Sequence, residues 1–305
     1  MKSLSNFSRS ASSAALASAL LVAALFVTGC GGGDKPKEVT KEQPTEKPPT
    51  PVEEEPAPEK ETPEPEKEAP EPEKEAGKNL GTGTLKGKVV LKGTPLENKM
   101  LDMSTDDKKE CEKLHEGKVS AGVVIVGDGG ALKNAIVYIS DGIDDEYSPP
   151  DQVATIDQKG CTYSPHIFAI MVGQKLKITN SDPFLHNIHS FPADDLNKTF
   201  NFGQKKGDEL VEVLEEEELV QFKCDVHKWM SAYVRVFPHP YFAVTGADGS
   251  FEIKNVPAGK FTLSVWHEHY GNPYNADDET EELEQEVELG EGASKEGIAF
   301  TFEAK

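Results

Sequence analysis

Three side chains that bind soft metal ions lie within seven residues of one another. They are Cys224, His227 and Met230, and His186 precedes Cys224 by 38 residues. Two imidazoles and a thiolate in one plane, with a weak axial thioether, form a copper site that suits both Cu(I) and Cu(II). The spacing therefore predicts one mononuclear copper site. A binuclear centre would need a second cysteine in the same loop, and the sequence from 224 to 230 has only one.

Short strands are expected to position these donors. Apolar runs predict strands at 175–179, 219–224 and 232–237, so that His186 follows one strand and the Cys224 loop joins the other two. His189, three residues after His186, competes with it as a candidate ligand. Side chains alternate between the two faces of a strand, so His189 is predicted to lie on the face opposite His186.

The spacing Cys-x2-His-x2-Met, a His-Asn pair at 186 and the segment 163–180 (YSPHIFAIMVGQKLKITN) resemble the cupredoxins, most closely the amicyanin type. The resemblance covers residues 152–238 and implies a Greek-key β-sandwich. It implies the following copper ligands: His186, Cys224, His227 and Met230. It also implies that Asn187 holds the ligand loop by hydrogen bonds near the thiolate. Lys228 stands where this family usually has proline, which leaves the choice of redox partner open.

Most of the remaining chain after residue 79 also predicts strands, because short apolar or alternating runs are separated by Gly, Pro and Asp. These runs lie at 85–92, 121–126, 131–140, 167–172, 209–214, 241–244, 250–253, 261–266, 285–289 and 298–303. Only residues 105–115 favour a helix. The predicted fold class is therefore all-β, with enough residues for two sandwiches.

The second predicted sandwich flanks the first. Residues 244–270, with an Asp-Gly turn and a Pro-x-Gly turn, resemble the carboxypeptidase regulatory-like, transthyretin-like sandwich, and residues 87–96 resemble its opening strand. This predicts one regulatory-like sandwich built from 79–145 and 239–305, with the cupredoxin domain 146–238 inserted between its two parts. The alternative is that residues 131–140 form the first cupredoxin strand and the two domains follow one another.

The first 78 residues predict export and a tether. Residues 1–29 combine a basic start with an apolar run that is short for a membrane span, and the sequence up to Cys30 resembles a bacterial lipobox. This implies a lipoprotein signal peptide and lipidation of Cys30. Residues 30–78 contain 11 of the 21 prolines and many Glu and Lys, which predicts a disordered spacer. The expected location is the bacterial cell envelope, on its periplasmic or surface face, and the outer membrane in a Gram-negative cell.

Cysteine use and charge limit the function further. In an exported protein, Cys111 and Cys161 are predicted to form a disulfide. The net charge of −22 argues against nucleic acid as a partner and favours a basic redox protein such as a cytochrome. The predicted function is an electron carrier without enzymatic turnover. The alternatives are copper handling, in which His189, His267 or His269 takes part, and a tethered scaffold without electron transfer.

Overall fold

The computed structural model describes residues 80–104, 109–270 and 283–304. The predicted signal peptide, Cys30 and the tether lie outside these residues. The strands in the first half are β1 Gly83–Lys92, β2 Ile136–Asp141, β3 Ala154–Gln158, β4 Tyr163–Ser164, β5 Ile167–Met171, β6 Lys175–Asn180, β7 His186–Pro192 and β8 Asn201–Gln204. Those in the second half are β9 Glu209–Val213, β10 Leu219–Lys223, β11 Ser231–Phe237, β12 Phe242–Val244, β13 Ser250–Val256, β14 Gly259–Trp266, β15 Leu283–Leu289 and β16 Ser294–Glu303.

Strands dominate the part of the chain that the structure describes. Its helical elements are the single turn α1, Lys109–Glu112, and a 3-10 turn at Asp128–Gly130. The predicted all-β fold class is therefore confirmed. None of the helical segments in the described residues is long and apolar enough to cross a membrane.

Two of the four sheets combine strands from both ends of the described chain. One has the order β13-β1-β16 and the other the order β12-β2-β14-β15. Their inward side chains form one apolar core, which includes Leu85, Val137, Phe251, Val265 and Phe300. Strands from residues 79–145 and 239–305 thus share both sheets. The likeness of this pair of sheets to a regulatory-like sandwich stays a prediction.

The other two sheets are built from β3 to β11 alone. Their strand orders are β5-β11-β10-β7-β8 and β4-β3-β6-β9. Between them lies a second core, which contains Ile178, Ile188, Phe222 and Val234 together with Cys224 and Met230. The β1 strand is followed by a long connection, and two of its residues, Met103 and Cys111, are buried in this same core. The connection therefore packs on the sheets that carry the predicted ligands.

A third, smaller core joins the two pairs of sheets. It contains Ile136, Tyr138, Ile167, Leu219, Phe237 and Trp266. The Arg235 guanidinium lies over the Tyr138 ring, 4.8 Å from its centre, so a cation–π contact also crosses this junction. Nearby, His166 Nε2 lies 2.7 Å from Glu268 Oε1. Because this junction is apolar and well packed, it fixes the ligand-bearing sheets against the flanking ones.

One predicted strand was wrong, and one predicted helix is shorter than expected in the described residues. Residues 121–126 form no strand, although Val124 is buried. Gly122 adopts a positive φ of 68° and the segment makes only isolated bridges. In the predicted helix at 105–115, only Lys109–Glu112 is α-helical among the residues described, and the chain then turns through Gly117. Strands β3, β4 and β8 were not predicted, and β7 was not among the predicted apolar runs, although the opposite faces expected for His186 and His189 assumed a strand there.

Candidate metal centre

Three neighbouring strands bring the predicted ligands to one end of their sheet. His186 is the first residue of β7, while Cys224 follows the last residue of β10. Antiparallel pairing of β7 with β10 places Lys223 opposite His189, and pairing of β10 with β11 places Lys223 opposite Ser231. The start of β7, the end of β10 and the start of β11 therefore lie at the same end of the sheet.

The donor atoms of His186, Cys224 and His227 converge on one point. The two Nδ1 atoms are 2.9 Å apart, and Cys224 Sγ is 3.8 Å from His227 Nδ1. One ligand atom from each residue lies within 4.8 Å of the other two, and all three residues are buried. Bonds of about 2 Å from a metal to imidazole nitrogen are compatible with donors this close. The arrangement therefore fits a single small metal ion.

A buried carboxylate orients the first histidine. His186 Nε2 lies 2.9 Å from Asp182 Oδ2, and a carboxylate oxygen can only accept from the ring N–H. A proton on Nε2 leaves the Nδ1 lone pair directed at His227 and the sulfur, so the neutral ring has the tautomer that binds a metal. Asp182 in turn accepts hydrogen bonds from the backbone N–H groups of Gly160 (2.7 Å) and Cys161 (2.6 Å).

The site favours a thiolate. Burial raises the pKa of the Cys224 thiol, but hydrogen bonds from His186, His227 and backbone N–H groups outweigh it and lower the pKa to about 6. Burial lowers the pKa of His186, but Asp182 and Cys224 raise it to about 9. Thiolate and protonated imidazole thus coexist at neutral pH, with a proton where a cation would sit. A metal ion replaces that proton, which is the usual linkage between metal binding and ionisation.

The ligand loop is closed by its own backbone. Cys224 N–H donates to Met230 O (3.3 Å), and Met230 N–H donates to His227 O (2.8 Å). His227 N–H points at Cys224 Sγ at 3.3 Å. The Met230 side chain is buried in the same core as Cys224, at the end of the sheet that carries the ligands.

Asn187 ties this loop to β7. Its Oδ1 accepts from Asp225 N–H at 2.7 Å, and its Nδ2 donates to Asp225 Oδ2 at 3.0 Å. Asn187 Oδ1 also lies 3.2 Å from Cys224 Sγ. The side chain therefore bridges the strand that begins with His186 and the loop that begins with the cysteine.

His189 lies apart from the converging donors. Its Nδ1 is 3.2 Å from Asp225 Oδ2, and its ring packs beside Phe191 with centroids 4.1 Å apart. Strand alternation accounts for this, since His186 is fully buried and His189 is partly exposed. Of the other two histidines considered, His267 uses its Nδ1 to accept the backbone N–H of His269 at 3.2 Å. Among the described residues, no potential metal-binding group includes any of these three histidines.

Cys111 and Cys161 form a disulfide beside the metal centre. Both sulfurs lie within 4.8 Å of a ring nitrogen of His227, and Cys161 Sγ has the same proximity to ligand atoms of Asp182 and His186. Trp229 donates its Nε1–H to Cys161 O at 2.9 Å and its ring lies 5.3 Å from that of His227. The sequence predicted the pairing but contained no signal for its position. It also gave no indication of the role of Asp182.

The comparisons with known proteins concern this part of the chain. No family model matches, and neither does any curated protein. A purple cupredoxin from Nitrosopumilus maritimus is 30% identical over 27% of this chain and 98% of its own, with a TM-score of 0.24. An amicyanin variant in its Cu(I) form is 16% identical over 33% of this chain and 97% of its own, with a TM-score of 0.26.

A copper-containing nitrite reductase from Thermus scotoductus SA-01 is 17% identical over 32% of this chain, with a TM-score of 0.26. The match spans a quarter of that enzyme (25%). These three structures are thus cupredoxins or contain copper. Their TM-scores are too low to support a conclusion about function. The proposed function therefore rests on the geometry of the donor residues.

Replacement of Asp182 by Asn should weaken copper binding. The amide can donate to His186 Nε2, which would move the ring proton to Nδ1 and block the metal-binding lone pair. We expect a loss of about 10- to 100-fold in Cu(II) affinity, the range typical for residues that orient a metal ligand. Competition with a chelator at pH 7.5 measures it. Glu218→Gln is the matched control, because this carboxylate is also buried but accepts from Asn197 Nδ2 at 2.7 Å and belongs to no potential metal-binding group in the described residues; equal affinities for the two variants would contradict the role of Asp182.

Proposed function

We propose that this protein binds one copper ion and carries single electrons between redox partners. One observation carries the proposal: two imidazole nitrogens and one thiol sulfur converge in a buried pocket within 4.8 Å of one another. The residues supply the donors that copper prefers, with Met230 as the weak axial ligand. When bound, copper supplies a centre that accepts and returns one electron.

The surrounding residues favour fast electron exchange. Strands β7, β10 and β11 hold the donors in a packed core, so the geometry changes little between the two oxidation states. Asp182 fixes the His186 ring, and backbone N–H groups stabilise the sulfur as thiolate. Burial also excludes water from the site. We propose no substrate turnover, because His186, Cys224 and His227 are all buried and so a substrate in solvent cannot reach them.

The electron is proposed to enter and leave at the edge of His227. His227 is only 5% exposed, and Trp229 packs beside its ring and donates to Cys161 O. Lys228, the next residue in the loop, is exposed. Since Trp229 is partly exposed and in contact with His227, it extends the route from the ligand to the surface.

The proposed partner is a basic redox protein such as a cytochrome, and nucleic acid is not a partner. A net charge of −22 steers basic proteins toward the chain, and salt screens this attraction. Attachment to the membrane through lipidated Cys30, in the bacterial cell envelope, is part of the same proposal. The tether would let the folded part reach a partner at some distance from the membrane.

Electron exchange with a basic cytochrome should therefore be fast and sensitive to salt. We expect the second-order rate constant for reduction of cytochrome c by the Cu(I) protein to fall by about tenfold or more between 0.01 and 0.2 M salt. Stopped-flow absorption measures it. An acidic cytochrome serves as the control and should show the opposite trend. Slow exchange at all salt concentrations would contradict the electron-carrier function and favour copper handling.

Copper handling is the second candidate, because one observation favours it. Two further sulfur atoms, those of Cys111 and Cys161, lie beside His227. The two sulfurs are joined in a disulfide, so they could act as soft ligands for Cu(I) only as thiolates, after reduction. The predicted roles of His189, His267 and His269 in such handling gain no support from their positions away from the donors.

A further inference from the structure

We propose that the Cys111–Cys161 disulfide is the closed form of a second copper site, which opens on reduction and binds Cu(I) through both thiolates and His227. The proposal goes beyond the electron carrier described above. It shares only His227 with that site, so either proposal can fail without the other.

The inference rests on the positions of Cys111, Cys161 and His227. The two sulfurs and one ring nitrogen of His227 all lie within 4.8 Å of one another, and all three residues are buried. Two thiolates and an imidazole form a soft donor set, which selects Cu(I). A disulfide that only fastened the chain could lie anywhere along the connection after β1. This one instead lies against both histidines of the metal centre.

The disulfide lies close beneath the surface. Cys111 is buried, but the residues on either side of it, Glu110 and Glu112, are exposed on the single helical turn α1. Glu110 pairs with Lys113, the residue that directly follows this turn. Since a single turn has few hydrogen bonds of its own, a local opening of α1 would expose the sulfurs without unfolding either sandwich.

Opening requires a dithiol as reductant, for example a dithiol oxidoreductase of the cell envelope. A thiolate of the reductant attacks one sulfur, and its second thiol completes the exchange. The S–S bond between Cys111 and Cys161 breaks and an S–S bond forms in the reductant, which supplies two electrons and two protons. Cu(I) then displaces the two thiol protons, which pass to solvent.

Reduction would therefore change what the protein does with copper. With the disulfide closed, His227 is available to Cys224 and His186, and the copper site suits both oxidation states. With the disulfide open, the thiolates compete for His227 and hold the ion as Cu(I). The chain would carry electrons under oxidising conditions and store Cu(I) under reducing ones.

The test measures Cu(I) affinity of the full chain in a Cys224→Ser background, by competition with a chromophoric Cu(I) chelator. This background removes the thiolate of the first site and leaves Cys111 and Cys161 as the remaining cysteine ligands near His227. We expect the dithiol-treated protein to bind Cu(I) at least about tenfold more tightly than the disulfide form. Mass spectrometry after alkylation counts the open thiols.

Two controls should abolish the gain in Cu(I) affinity if the proposal is correct. Cys111→Ser with Cys161→Ser should bind Cu(I) equally with and without the dithiol. If that variant does not fold, alkylation of the reduced Cys224→Ser chain with iodoacetamide should abolish the gain instead. Equal affinities of the oxidised and reduced chains, or a disulfide that stays closed in the folded chain under a dithiol, would overturn the proposal. Neither result affects the Cu(II) absorption of the wild type, which tests the electron carrier separately.

Discussion

Cys224→Ser should remove the intense visible absorption of the Cu(II) protein. A thiolate bound to Cu(II) produces a strong charge-transfer band, and a serine hydroxyl at the same place cannot. Without the thiolate, the remaining proposed ligands are the imidazoles of His186 and His227 and the weakly bound thioether of Met230. Such copper absorbs weakly, so we expect the band to fall to the background. Absorption spectra of wild type and variant at one equivalent of Cu(II) measure the change.

The fold of the Cys224→Ser variant provides its control. The side chain is buried and nearly the same size as the one it replaces, and the loop hydrogen bonds between Cys224 N–H and Met230 O use only backbone atoms. Far-UV circular dichroism should therefore be unchanged. A band that persists at wild-type intensity would show that the thiolate of Cys224 does not bind the copper.

Removal of the disulfide should have the largest effect on stability. Cys111 and Cys161 are 50 residues apart, and a cross-link over a loop of that length restricts the unfolded chain by roughly 4 kcal/mol. The bond also fastens the connection after β1 to the core of the ligand-bearing sheets. We expect Cys111→Ala with Cys161→Ala to lower the free energy of unfolding by about 4 kcal/mol, measured by urea denaturation of the copper-free protein.

The matched control for the disulfide is Cys224→Ala, which removes a buried thiol without opening a loop. Its cost should be about 1 kcal/mol, as for the loss of one small buried side chain. A loss below about 1 kcal/mol for the disulfide variant would contradict the entropic role assigned to the cross-link. The same comparison made after chemical reduction of the wild type should match the double variant.

Local spacing made the proximity of Cys224 and His227 predictable. Cys224, His227 and Met230 lie in one short loop, and a loop between two adjacent strands must keep its side chains together whatever the rest of the chain does. His186 begins β7, which pairs with β10, so its position depends on strand pairing as well as on local spacing. Most strands of both cores were also predictable, since alternating apolar residues such as those of β6 have one buried face.

Long-range contacts were not predictable in the same way. Asp182 is one of many acidic residues in the sequence, and its importance depends on a turn that brings it back to His186. The position of the disulfide beside the copper donors depends on how the connection after β1 packs, which no local pattern encodes. In both cases the contact joins residues whose types are common and whose proximity arises only from tertiary packing.

The missed strands have a physical explanation. Strand β7 contains His186, Asn187 and Ser190 at buried positions, so its polar residues conceal the apolar alternation that marks a strand. Strand β8 is mostly exposed and contains a glycine. The opposite error at 121–126 arose because a short apolar run is equally compatible with an irregular segment that buries one side chain, as Val124 does.

The most direct test of the central claim is a titration of the purified protein with Cu(II), followed by visible absorption and EPR, on wild type, Met230→Ala and His189→Ala. We predict an intense thiolate-to-copper band that saturates at one equivalent, shifts in Met230→Ala and is unchanged in His189→Ala. His189 lies with Asp225, away from the donors, so its loss should have no effect. Only weak absorption in the wild type, or a band that depends on His189, would contradict the mononuclear site formed by His186, Cys224, His227 and Met230.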